Sequence, residues 1–119
     1  MFVICIDFDG TCVEHKYPKI GKDIGAIPWL LKFQEAGAKL ILYTMRDKEH
    51  LEEAVKWFKD NKIELYGVNR NPTQFWTTSN KCYGNLYIDD AAFGCPLKDG
   101  YVDWKKIGPE VLSIIRSDK

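Results

Sequence analysis

At 119 residues the chain suits one compact domain, 1–119, and leaves little room for a second. Hydrophobic residues make up 45% and charged residues 29%, a soluble globular composition, and 17 Lys plus Arg balance 17 Asp plus Glu. That balance supplies no global field toward nucleic acid or an anionic membrane, no stretch approaches the roughly 20 apolar residues of a membrane helix, and no signal peptide is visible.

The apolar run Phe2-Val3-Ile4-Cys5-Ile6 reads as a buried strand and runs straight into Asp7-Phe8-Asp9-Gly10-Thr11. Alternation along an extended backbone directs Asp7 and Asp9 to the same side, where two like charges need a cation or a shared proton between them. Gly10 allows a sharp turn; the plain alternative for these five residues is a strand ending in an Asp-Gly turn. A helical period covers Asp23 to Ala36, with Pro28 near its start and Gly37 as its stop. Ala38 to Tyr43 reads as a second buried strand ending at Thr44, and Lys48 to Asp60 is the clearest amphipathic helix. Ile63 to Val68 is a third strand, Asn69 to Lys81 a loop, and Asn85 to Ile88 a fourth strand ending at Asp89-Asp90. Pro109 is expected to open a last short helix through Arg116, with Gly108 at its cap.

Strands alternating with helices predict an α/β fold, a doubly wound, Rossmann-like and mainly parallel sheet with helices on both faces. Ligands bind such sheets at the carboxyl ends of the strands, which here carry Asp7, Asp9, Thr44, Arg46, Asp89 and Asp90. Singly, Thr44 reads equally as a helix cap and Asp89-Asp90 as a solvated turn; placed together at three strand ends they read as a site. Four cysteines, Cys5, Cys12, Cys82 and Cys95, show no C-x-x-C spacing, which fits a reduced, cytoplasmic thiol set.

The set Asp7-Phe8-Asp9-Gly10-Thr11, then Thr44, then Lys81, then Asp89-Asp90, resembles the haloacid dehalogenase superfamily of phosphotransferases in both content and order. The resemblance implies a magnesium ion and hydrolysis of a phosphate monoester through an aspartyl-phosphate. It makes Asp7 the nucleophile and Asp9 the general acid and base. Thr44 and Lys81 would hold the phosphoryl oxygens, and Asp7, Asp89 and a group at Asp9 would hold the metal. Asp90 would bind the metal through water or orient Lys81. Gly10, Arg46 and Asp90 are the expected substrate contacts, Arg46 because its fork suits a pair of phosphate oxygens; a salt bridge to Asp47 or Glu49 is its alternative. Thr11 is expected to support the turn, His15 to lie on a flap beside the site, and His50 to be helix surface. The segments between Thr11, Thr44 and Lys81 are too short for a cap domain, so the site should be open.

An open site admits a phosphorylated small molecule or a phosphorylated polymer end. Arg70 and Lys81 interleave with Tyr66, Phe75, Trp76, Tyr83 and Tyr87, a pattern that can stack bases, but aromatics in such segments usually pack the core. Nucleic acid is therefore a candidate partner that the net charge does not indicate. Two rivals stand beside the phosphatase: a phosphoacceptor receiver-like signalling domain, whose acidic, Thr and Lys positions come in a different order, and a catalytically silent copy of the same fold used for binding.

Overall fold

The computed structural model describes residues Met1–Asp118. Four short strands, β1 (Val3–Ile6), β2 (Lys39–Leu42), β3 (Leu65–Val68) and β4 (Leu86–Ile88), form one parallel sheet in the order β3-β2-β1-β4. All four residues of β1 are buried, as befits a strand with neighbours on both sides. Ile4 pairs in register with Leu40 and Leu86, and Ile6 with Leu42 and Ile88.

The helices are α1 (Ala26–Glu35), α2 (Lys48–Asp60) and α3 (Trp104–Ser117). Helix α1 starts three residues later than the periodicity predicts, because Asp23 stays outside it and accepts hydrogen bonds from the N–H groups of Gly25, Ala26 and Ile27. Helix α3 starts at Trp104, five residues before Pro109, which therefore lies inside it rather than opening it. Burial of Trp104, Ile107, Val111, Leu112 and Ile115 at helical spacing outweighs the backbone bond that proline forgoes. Gly108 is no cap: a Cβ there would collide with the Trp29 ring, so its bare backbone is what lets α1 and α3 pack. A small antiparallel hairpin, β5 (Leu97–Lys98) and β6 (Tyr101–Val102), precedes α3 and was not apparent from the sequence.

The chain steps outward from β1 to β2 to β3 and then returns across β1 to reach β4. Right-handed crossovers send α1 and α2 over one face and the return segment over the other. The packing agrees: Ile4, Ile6, Leu40 and Leu42 share one core with buried residues of all three helices. On the opposite face Val3, Cys5 and Ile41 meet Cys82 of the return segment, with Tyr43 and Tyr66 at the margin. Helices on both faces are thus not found; the return connection holds no helix, because Asn69 to Lys81 lacks a helical apolar period. Among the described residues no helix is long and apolar enough to cross a membrane. Connections leave β1 on one side and enter β4 from the other, so a crevice opens between these two strand ends.

Candidate functional site

Asp7 leaves β1 while still tied to its neighbour, its N–H donating to Ile88 O at 3.0 Å. This keeps the ends of β1 and β4 together and brings Asp7 beside Asp89 and Asp90. Each of the three offers a carboxylate oxygen, all within 4.8 Å of one another. Fully buried Thr11 links them: its hydroxyl donates to Asp7 Oδ2 at 2.8 Å and accepts the Asp90 N–H at 3.0 Å. Trp104 Nε1 donates to Thr11 O at 2.6 Å and so ties this turn to α3. Burial, reinforced by the charge of Asp89 and a hydrogen bond to Asp90, raises the Asp7 pKa to about 7, against the opposing bond from Thr11.

Asp9 shares the cleft with Asp7 but not the carboxylate cluster. Arg46 clasps it side-on, Nε donating to Oδ2 at 2.7 Å and Nη2 to Oδ1 at 2.8 Å. The remaining guanidinium N–H groups go to Lys19 O at 2.9 Å, Pro18 O at 3.1 Å and His50 O at 3.3 Å. All five donors of Arg46 are thereby used, and its side chain is 1% exposed between the rings of Phe8 and Tyr17. The expected roles of Arg46 as a substrate contact or as a partner of Asp47 or Glu49 are both replaced by this clasp. The expected cation between Asp7 and Asp9 is likewise replaced, because Asp9 already has a countercharge in Arg46. The crowding that asks for a cation involves Asp7, Asp89 and Asp90 instead.

Gly10 has φ +82°, and a Cβ there would collide with the His15 ring and the Asp90 carboxylate. It therefore shapes the turn, and its carbonyl accepts the Val102 N–H at 3.2 Å. His15 does sit beside the site, Nε2 at 3.1 Å from Asp90 Oδ2 and its ring 5.4 Å from that of Tyr101. His50 is on the surface of α2 beside Glu53, as expected, and its carbonyl helps hold Arg46.

Thr44 lines the cleft, with its hydroxyl accepting the Arg46 N–H at 3.2 Å and its own N–H donating to Asn69 Oδ1 at 2.7 Å. Lys81 does not line it: the ammonium lies over the Tyr87 ring, 5.7 Å from the centroid. Tyr87 in turn sits 6.4 Å from Tyr43, a residue of the cleft wall. The return segment is thus exposed where the sequence expectation had its aromatics packing the core. Tyr66 does pack there, whereas Phe75 and Trp76 face outward at 86% and 66% exposure.

The cleft measures about 690 Å³, with Asp7, Asp9, Asp89 and Asp90 among its polar lining. Tyr17, Tyr43, Met45 and Ala91 add an apolar wall. Thr11 and Tyr17 were not among the sequence-derived site residues. Thr11 closes the acidic motif, where it was expected only to support the turn; Tyr17 had no signal, and it lies beside Arg46, which also holds Pro18 O.

These features define an α/β protein with a parallel sheet and an acidic cleft at its topological switch point. No protein-family profile matches the chain, and no curated protein does. Among solved structures, a conserved protein from Bacteroides thetaiotaomicron aligns with a TM-score of 0.78 and 34% identity, covering 98% of this chain and 91% of that one. The chain belongs to the family of that conserved protein.

Proposed function

We propose that the chain is a magnesium-dependent phosphatase, a small capless relative of the haloacid dehalogenases, that hydrolyses a phosphate monoester through an aspartyl-phosphate on Asp7. The observation that carries it is the convergence of Asp7, Asp89 and Asp90 oxygens within 4.8 Å at the crevice between β1 and β4. An all-oxygen, multiply anionic donor set of this kind fits a hard divalent cation, and Asp7, Asp89 and Asp90 would hold it. When bound, magnesium would neutralise this cluster and the anionic ester that must approach it.

In the first displacement an Asp7 oxygen forms a bond to phosphorus, the ester P–O bond breaks, and the leaving oxygen keeps the bonding pair and takes a proton from solvent to depart as the alcohol. In the second, water attacks phosphorus while losing a proton, the Asp7 O–P bond breaks, inorganic phosphate departs, the proton passes by way of Asp9 to solvent, and the Asp7 carboxylate is restored. Asp9 lines the cleft beside Asp7, and its oxygens keep lone pairs beyond the bonds from Arg46 with which to take the proton of the attacking water. Thr44, also in the cleft lining, would donate its hydroxyl to a phosphoryl oxygen. Lys81 joins only by swinging its exposed arm off Tyr87; among the described residues its ammonium makes no hydrogen bond or ion pair that would hold it back. A reducing, cytoplasmic setting belongs to the same proposal, and it is supported by four free cysteines, including Cys5 and Cys82 with sulfurs 3.7 Å apart.

The test is phosphate release from a broad panel of phosphomonoesters with and without magnesium. Release should need the ion and vanish in Asp7→Asn; full activity in Asp7→Asn would sink the covalent route.

A further inference from the structure

We infer that the cleft is built for the phosphate ester of an uncharged phenol-type alcohol rather than for aliphatic or doubly anionic phosphates, an inference that rests on the phosphatase proposal above. Its first support is the wall. Tyr17 carries the Arg46 guanidinium 5.0 Å from its ring centroid and meets His50 edge-on at 5.5 Å, yet remains 57% exposed. The ring is therefore fixed before any ligand arrives, and a fixed ring loses little freedom on stacking. Met45, 99% exposed on the same cleft, offers a flexible thioether suited to an aromatic edge.

The second support is charge. Arg46 is the one cationic side chain in the described cleft lining, and its five donors are already taken. A carboxylate or second phosphate on the leaving group would find four aspartates and no free cation among these residues, the swinging ammonium of Lys81 being committed to the transferred phosphoryl group.

The experiment compares phenyl phosphate, 4-carboxyphenyl phosphate and glycerol 3-phosphate with magnesium. A phosphotyrosyl peptide with neutral flanks separates a protein source of the aryl ester from a small molecule. Phenyl phosphate should exceed glycerol 3-phosphate by about a hundredfold in kcat/KM, and 4-carboxyphenyl phosphate should fall about tenfold below phenyl phosphate although its leaving group is the more acidic. Whichever of phenyl phosphate and the peptide is faster names the source. Binding is read separately by the thermal shift from phenylphosphonate and methylphosphonate. Tyr17→Ala and Met45→Ala should each weaken phenylphosphonate, by about tenfold for Tyr17, and leave methylphosphonate unchanged, while Tyr17→Phe behaves as wild type. Met45 is fully exposed, so its variant tests the wall without touching the fold. Equal turnover of glycerol 3-phosphate or of the carboxylated ester, or equal binding of the two phosphonates, overturns the inference and leaves the phosphatase intact. Absence of phosphate release from every ester removes the phosphatase and this inference together.

Discussion

Arg46 and Asp9 form a side-on, two-bond ion pair at 2.7 and 2.8 Å that joins the loop after β2 to the loop after β1. The same guanidinium holds the backbone carbonyls of Pro18, Lys19 and His50, so one side chain fixes the flap, the N-terminal turn of α2 and the acidic motif. Removing it leaves Asp9 and the carbonyls of Pro18 and Lys19 without these partners. Arg46→Met should therefore cost about 3 kcal/mol by urea denaturation. Arg46→Lys should recover little, because an ammonium lacks the planar fork. A loss below about 1 kcal/mol in Arg46→Met would mean that the clasp is dispensable.

Thr11→Val keeps the side-chain shape and removes the hydroxyl that serves Asp7 and the Asp90 N–H. The expected cost is about 1–2 kcal/mol. The bond from Thr11 lowers the Asp7 pKa, so its loss should push that pKa higher still. The alkaline rise of the magnesium-dependent rate should then move to higher pH, as a pH–rate profile would record; an unmoved profile with the stability loss would reduce Thr11 to a structural role.

The folded Asp7 holds its proton more tightly than the unfolded chain does, with a pKa of about 7 against an ordinary 3.8. The stability from this proton is complete below the unfolded pKa, declines above it, and is lost as pH rises through about 7. In chelator, the urea midpoint should show this decline from mildly acid to neutral pH, and Asp7→Asn should flatten it. Added magnesium should raise the midpoint most at the alkaline end, since the ionised carboxylate is the ligand. A decline of the same size in Asp7→Asn would assign it to other groups.

Gly10→Ala places a methyl against the His15 ring and the Asp90 carboxylate in a left-handed backbone conformation. The backbone term alone should cost about 1 kcal/mol, and displacement of Asp90 should also weaken magnesium binding. Calorimetric titration with magnesium separates the two effects: unchanged affinity in a destabilised Gly10→Ala would show that Asp90 is not needed at the ion.

The strands were legible because each is a short, mainly apolar run bounded by polar or turn residues, a pattern readable from neighbouring residues alone. Val3 to Ile6, Lys39 to Leu42 and Leu86 to Ile88 lie within their expected bounds, and the third strand loses only its first two residues. The local signal of Pro109 points to a later start for α3, and burial of Trp104 and Ile107 in the common core, Trp104 against Phe33 of α1, overrides it. The hairpin of β5 and β6 is two residues per strand, too short for any period to register.

The amino-acid order by itself determined the parallel α/β alternation and the placement of Asp7, Asp9, Thr44, Asp89 and Asp90 at strand ends, because period and strand termination are local properties. Only the tertiary structure decided which charges meet. It turned Asp9 toward Arg46, set Asp90 with Asp7 and Asp89, parked Lys81 on Tyr87, and put all three helices on one face. The physical reason is that charged partners are chosen by distances across the fold, which residues as far apart in sequence as Asp9 and Arg46, or Asp7 and Asp90, acquire only when the chain packs.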